Sequence, residues 1–314
     1  MTPSVCPAMR AAALMAAALL SACGGGGDSS NDAGTPQNPV GAETAQSVSA
    51  NTLVLGPDSV DANAAVLRAA QAVVASGQAT ATIACGGGGT ARFTVSGGNG
   101  TSILNRVLDA GERYGMLFDN CRVSGNSDSL SGVMSLEVIS ASANELTVQT
   151  SMQNLVVSRP HRTLTLNGSS TLSESTVTNG ATVTTTTRWV SPQIALVSLH
   201  NLRLSSLTLS NVDLTSTSTT IGGVASGSTS SGSITITVAW PNHSWSATIA
   251  TQGTATYDAN GVATQGSWLM TLPHDRIGLV VAAGLATVTL DHGPDGIIDS
   301  SFFWGVPALI DLAA

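Results

Sequence analysis

The stretch Asp291-His-Gly-Pro-Asp-Gly-Ile-Ile-Asp299 sets three carboxylates among glycines that permit sharp turning. Hard Ca²⁺ takes six to eight oxygen ligands, and a short acidic loop of this composition can supply several. Asp291, Asp295 and Asp299 are therefore a candidate calcium site, and structural calcium is the one cofactor the sequence suggests. The same residues also fit an Asp/Gly hairpin joining Ala286–Leu290 to Ser301–Trp304. The other residues with chemical potential are Cys6, Cys23, Cys85 and Cys121, and His161, His200, His243, His274 and His292. The histidines are scattered, and Pro160-His161-Arg162, Asn242-His243 and Pro273-His274-Asp275-Arg276 read as turns. No Gly-x-Ser-x-Gly elbow, His-x-x-His pair or phosphate loop occurs. All 11 basic residues are arginine, so Schiff-base and phosphate-loop lysine chemistry are excluded. The net charge of −8 without a basic run argues against a nucleic-acid partner. No catalytic residue is assigned, and the chain reads as non-enzymatic.

The acidic stretch resembles the Asp-Gly-x-x-Asp core of calcium loops in dockerin-like and thrombospondin-type repeats. It departs from them where Gly293 replaces a third ligand, where His292 and Pro294 intrude, and where no bidentate Glu follows.

At the N-terminus, Arg10 precedes the apolar run Ala11–Leu20. That run is too short for a bilayer, which takes roughly 20 residues, and suits the core of a signal peptide. Leu20-Ser21-Ala22-Cys23 resembles the lipobox of bacterial lipoproteins. The resemblance implies cleavage before Cys23, acylation of its thiol and new N-terminus with chains such as palmitate, and a membrane partner held through that anchor. Two or more acyl chains hold stably where one does not. Gly24, where an Asp commonly retains lipoproteins at the inner membrane, implies the outer membrane of a Gram-negative cell. The Gly, Ser, Asn and Pro content of residues 24–50 reads as a flexible tether. The domain plan is a signal peptide over 1–22, lipidated Cys23 and tether over 23–50, and one β-rich domain over 51–314.

With Cys6 removed and Cys23 acylated, Cys85 and Cys121 remain as an even pair in an exported chain, which predicts a disulfide. Their surroundings, Cys85–Gly89, Gly111, Glu112, Phe118, Asn120, Cys121 and Gly132, loosely resemble Gram-negative outer-envelope lipoproteins to which no chemistry is attached.

The elements that must hold these residues are mostly strands. Charged residues make up only 10% of the chain, and Ser, Thr, Asn and Gly stand in their place. One helix is predicted over Asp58–Gly77, with Asp58 as its cap and Val60, Leu67, Ala70 and Val74 along one stripe. Beyond residue 130 apolar residues alternate with polar ones, as in Met134-Leu136-Val138 and Ile234-Ile236-Val238. Turns are expected at Asn144, Asn167-Gly168, Asn179-Gly180, Pro241-Asn242 and Asp258–Gly261. Ser216–Ser233 has almost no apolar anchor and reads as a long mobile loop. Segments beginning Gln153-Asn-Leu and His200-Asn-Leu recur weakly. The fold class is mainly β: a large antiparallel meander, as a curved sheet, barrel or sandwich, with one N-terminal helix. Trp189, Trp240, Trp245, Trp268 and Trp304 are core anchors or a glycan platform. The leading function is a structural or interaction module on the envelope. The alternatives are a carrier of lipid or another hydrophobic ligand in a half-barrel, and an envelope glycan-binding protein or hydrolase.

Overall fold

The computed structural model describes residues 40–98, 104–122, 128–159, 162–200, 203–240, 243–259 and 261–313. A long helix, α1 (Ala42–Val74), is followed by β1 (Thr80–Ala84), β2 (Thr90–Gly97), β3 (Glu112–Arg122), β4 (Ser129–Ala141) and β5 (Glu145–Ser158). Next come β6 (Arg162–Asn179), β7 (Thr182–His200), β8 (Arg203–Ile221), β9 (Val224–Trp240) and β10 (His243–Thr251). The chain ends with β11 (Ala255–Tyr257), β12 (Ala263–Thr271), β13 (Asp275–Ala282), β14 (Leu285–His292), β15 (Ser300–Gly305) and the short α2 (Val306–Ile310).

The strands form one antiparallel meander in sequence order from β1 to β15, so the expected fold class holds as a single sheet. β11 leaves the path. It lies between the outer half of the long β9 and β12, where the shorter β10 has already ended. Most apolar residues of the strands point to one inner face, and that face packs against α1 in one continuous core.

Helix α1 is longer than the sequence suggests. Gly56-Pro57 reads as a break, because proline lacks the amide that an interior helical position needs. The helix nevertheless runs through it, and residues 42–50, expected as tether, are its first turns. Their burial explains this: every residue from Ser47 to Leu53 is buried, a run covering all sides of the helix. The predicted stripe of Val60, Leu67, Ala70 and Val74 is buried too. Asn51 Nδ2 and Thr52 Oγ1 donate to the carbonyls of Ser47 and Val48, while the Ser47 and Ser49 hydroxyls are buried without a partner among the described residues.

Three asparagines bend the sheet. Asn120, Asn154 and Asn211 have φ of 46°, 49° and 50°, a left-handed region that asparagine tolerates. Each sits at a register shift, where one extra residue enters the strand. The extra residue changes which positions face inward: Tyr114, Met116 and Phe118 are buried before Asn120, and Cys121 after it. Val148, Thr150 and Met152 likewise give way to Leu155 and Val157, and Leu207 and Leu209 to Val212 and Leu214. Glycine makes room on the neighbouring strand, since a Cβ on Gly132 would overlap the Asn154 carbonyl and one on Gly232 the Asp213 carbonyl.

Two expectations from turn chemistry are corrected. Asn167-Gly168 lies inside β6, paired with Ala195 and Ile194, because the strand continues through a bulge after Gly168. Ser216–Ser233 is a hairpin, not a loop, in which β8 and β9 pair through Thr215↔Ser231 and Thr217↔Thr229. Neighbouring long strands and cross-strand hydroxyls hold it without an apolar face. The turn at Asn179-Gly180 forms one residue later, as Gly180-Ala181 between the paired Asn179 and Thr182.

Gly132→Ala combines a left-handed φ of 115° with a backbone overlap and is expected to cost roughly 3 kcal/mol. Gly180→Ala, at φ 61° in open space, costs about 1 kcal/mol. Urea unfolding of both variants checks this, and equal shifts would contradict the packing role of Gly132.

Candidate functional site

The three aspartates of the candidate calcium loop fall at the end of β14 and in the turn before β15. Each carboxylate accepts a backbone N–H of that same segment. Gly296 donates to Asp291 Oδ2 at 3.2 Å, Ile297 to Asp295 Oδ1 at 2.8 Å and His292 to Asp299 Oδ2 at 2.7 Å. Among the described residues no three His, Cys, Asp or Glu side chains gather as a metal cage. The segment forms the β14–β15 hairpin, its carboxylates accepting amides that the turn exposes, while Asp291 Oδ1 is buried without a hydrogen-bond partner among the described residues. β14 and β15 pair from Leu290↔Ser300 to Leu285↔Gly305.

Cys85 and Cys121 form the expected disulfide, with Cα atoms 5.4 Å apart. It joins the β1–β2 turn to the end of β3, and the Asn120 bulge is what turns Cys121 inward to meet its partner. Closing a loop with a sequence separation of 36 is worth about 4 kcal/mol in the chain-entropy model. Cys23 and His161 lie outside the described residues.

The remaining histidines divide by position. His274 is exposed in the β12–β13 turn, and His200 is buried with Nδ1 3.2 Å from the Ala313 carbonyl. His243 opens β10. His292 is different, for its Nδ1 lies 2.6 Å from Asp275 Oδ1. Asp275 is buried, and its other oxygen accepts the Val40 amide at 3.3 Å. This clasp ties the entry of α1 to the β13–β14 hairpin. The sequence carried a signal for it. Asp275 and His292 lie equally far from Ala283-Gly284, so a hairpin turning there must pair them.

A second charged group fastens the middle of α1. Asp58, expected as a helix cap, is an interior residue whose carboxylate meets Arg159 Nη1 at 2.6 Å and Arg162 Nη1 at 3.3 Å. Arg159 Nε also lies 3.5 Å from Asp128 Oδ1. Arg162 is buried, and Asp58 and Arg159 are half-buried. Burial raises the Asp58 carboxyl above its ordinary range, against the pull of the two arginines, and burial lowers the Arg162 guanidinium. At the other end of the helix, Glu174 lines an open cleft of about 450 Å³ with Gln71, Arg106 and Glu145. Burial pushes its carboxyl up, against the pull of Arg68.

Between α1 and the β1–β3 rim an apolar pocket of about 220 Å³ is lined by Ala69, Ala72, Val73, Ile83, Cys85 and Cys121. Beside Thr52 and Val60 there is a void of about 20 Å³, space for about one water. Trp189, Trp245 and Trp268 are buried, so these three are core anchors and not a glycan platform.

The outer face is where polar chemistry meets solvent. Serine and threonine from adjacent strands pair across it: Thr147 with Ser173 at 3.2 Å, Thr186 with Thr217 at 3.2 Å, Thr235 with Thr248 at 3.1 Å and Thr237 with Ser246 at 2.9 Å. Ion pairs lie there too, Arg113 with Glu137 at 3.0 Å and Arg188 with both oxygens of Asp213 at 2.8 Å. The bidentate arginine holds the Asp213 carboxyl below the usual range. A hydroxyl both donates and accepts, so this surface suits a neutral hydrogen-bonding partner more than a charged one. No family model, curated protein or solved structure matches the chain.

Asp58→Ala strands two arginines, one of them buried, and is expected to cost about 3 kcal/mol in urea unfolding. A cost below about 1 kcal/mol would show that the group does not fasten α1.

Proposed function

We propose that this chain is a lipid-anchored module of the outer envelope of a Gram-negative bacterium, held by acylation of Cys23 and acting by contact. The observation that carries this reading is the occupancy of the inner face by α1. A sheet whose inner face is filled by its own helix offers partners its outer face and its two ends. The lipobox-like Leu20–Cys23 supports the anchor. The paired hydroxyls of the outer face support a neutral partner, and an envelope glycan fits that chemistry better than an acidic or basic polymer. The half-barrel carrier reading needs an unfilled apolar trough; the burial of Ser47–Leu53 and of Val60, Leu67 and Val74 stands against one along the helix, and the pocket of about 220 Å³ beside Ala69, Val73 and the disulfide is the space such a ligand would have.

The anchor is tested by expression in a Gram-negative host with labelled palmitate. The wild-type chain is expected to take label and to sediment with outer membranes. Cys23→Ser is expected to take none and to appear in the soluble fraction. A wild-type chain without label, with Cys23→Ser still in the membrane, would overturn the proposal.

A further inference from the structure

We infer that the β14–β15 turn faces the bilayer that holds the chain, with Ile297 and Ile298 seated in its headgroup boundary; the inference rests on the acylation of Cys23 proposed above. Two consecutive isoleucines at a turn are costly to leave in water. Ile297 is 65% exposed and Ile298 51% exposed. Their backbone is preformed, because Asp295 accepts the Ile297 amide and Asp299 the His292 amide, so seating them orders little new chain.

Where the chain leaves the described residues selects the partner. The Val40 amide donates to Asp275, and Asp275 meets His292, the residue immediately before the turn. The interval from Cys23 to Val40 therefore ends at the Asp275–His292 pair, from which the turn carrying Ile297 and Ile298 departs. That interval spans at most about 60 Å fully extended. The antiparallel path places the β7–β8 turn at this same end, flanked by the exposed Leu199 and Leu204. The apolar residues at the other end, Val177, Ile221 and Val224, lie beyond strands of 18 and 19 residues, roughly 60 Å long. Only a fully stretched interval would bring that far end down to the membrane holding Cys23.

A pair of isoleucines would not hold a free protein on a membrane. Beside an acyl anchor it need not, because the anchor keeps the turn at high local concentration over the surface. Asp295 and Asp299 flank the isoleucines, so the fit is to zwitterionic headgroups more than to anionic ones.

The test uses the full-length mature lipoprotein with its disulfide intact, in vesicles of phosphatidylethanolamine and phosphatidylcholine carrying a doxyl-labelled lipid. Ile297→Cys and Val224→Cys are each labelled with an environment-sensitive NBD group; Val224 is the control, 70% exposed at the far end. The label at 297 is expected to shift to the blue and to be quenched several-fold more strongly than the label at 224. Equal quenching, or stronger quenching at 224, overturns the inference. The mass of the N-terminal peptide, measured on the same samples, separates the two claims. Acylated Cys23 with a solvent-like label at 297 defeats this inference alone, and unacylated Cys23 defeats it together with the anchor.

Discussion

Helix α1 and the inner face of the sheet bury one another, and neither has another way to leave water. No side of the helix meets solvent over Ser47–Leu53, and its alanines and valines fill the sheet side by side with Phe93, Tyr114, Leu164 and Trp189. An amphipathic helix would lie on a flat sheet with one stripe. A helix buried on all sides needs a surface that bends around it, and the bulges at Asn120, Asn154 and Asn211 supply bending where strands carry an extra residue. The charged contacts follow from the same arrangement. Asp275 and His292 hold the entry of the helix, and Asp58, Arg159, Arg162 and Asp128 hold its middle.

How much of this could be read beforehand depended on whether the signal was local. Alternation in Met134-Leu136-Val138 needs only neighbouring residues, so the meander was legible. So was the pairing of Cys85 with Cys121. The start of α1 was not, because Gly56-Pro57 is a strong local break that burial of Ala45, Val48 and Leu53 overrides. Ser216–Ser233 looked like a loop for a related reason. Its strands are held by their long neighbours, not by an apolar face of their own. The hairpin at Asp291–Asp299 was legible for the opposite reason, since its Asp and Gly residues meet the needs of a turn locally. The bulges did leave a trace: Phe118-Asp-Asn-Cys121, Met152-Gln-Asn-Leu155 and Leu209-Ser-Asn-Val212 share a hydrophobic-x-Asn-hydrophobic form. Gln153-Asn-Leu is similar in sequence to His200-Asn-Leu, but its structural equivalents are the segments around Asn120 and Asn211.

The balance between the two faces carries the functional reading. Most aromatic and aliphatic bulk is spent inside against α1, and the outer face carries hydroxyls and ion pairs with a few apolar residues among them, such as the paired Leu117 and Val133. Such a face has little long-range field and recognises by contact, which suits a protein already brought to its partner by an anchor.

The central claim is that α1 is an integral part of the core and not a plug over a hollow sheet. Native-state hydrogen exchange resolved by residue tests it most directly. The account predicts that amides of Ser47–Leu53 and Ala62–Ala70 exchange only through global unfolding, at the same free energy as the central amides of β7 and β8. Fast exchange across α1 while β7 and β8 stay protected would mean that the helix leaves an intact sheet, and the account would be wrong.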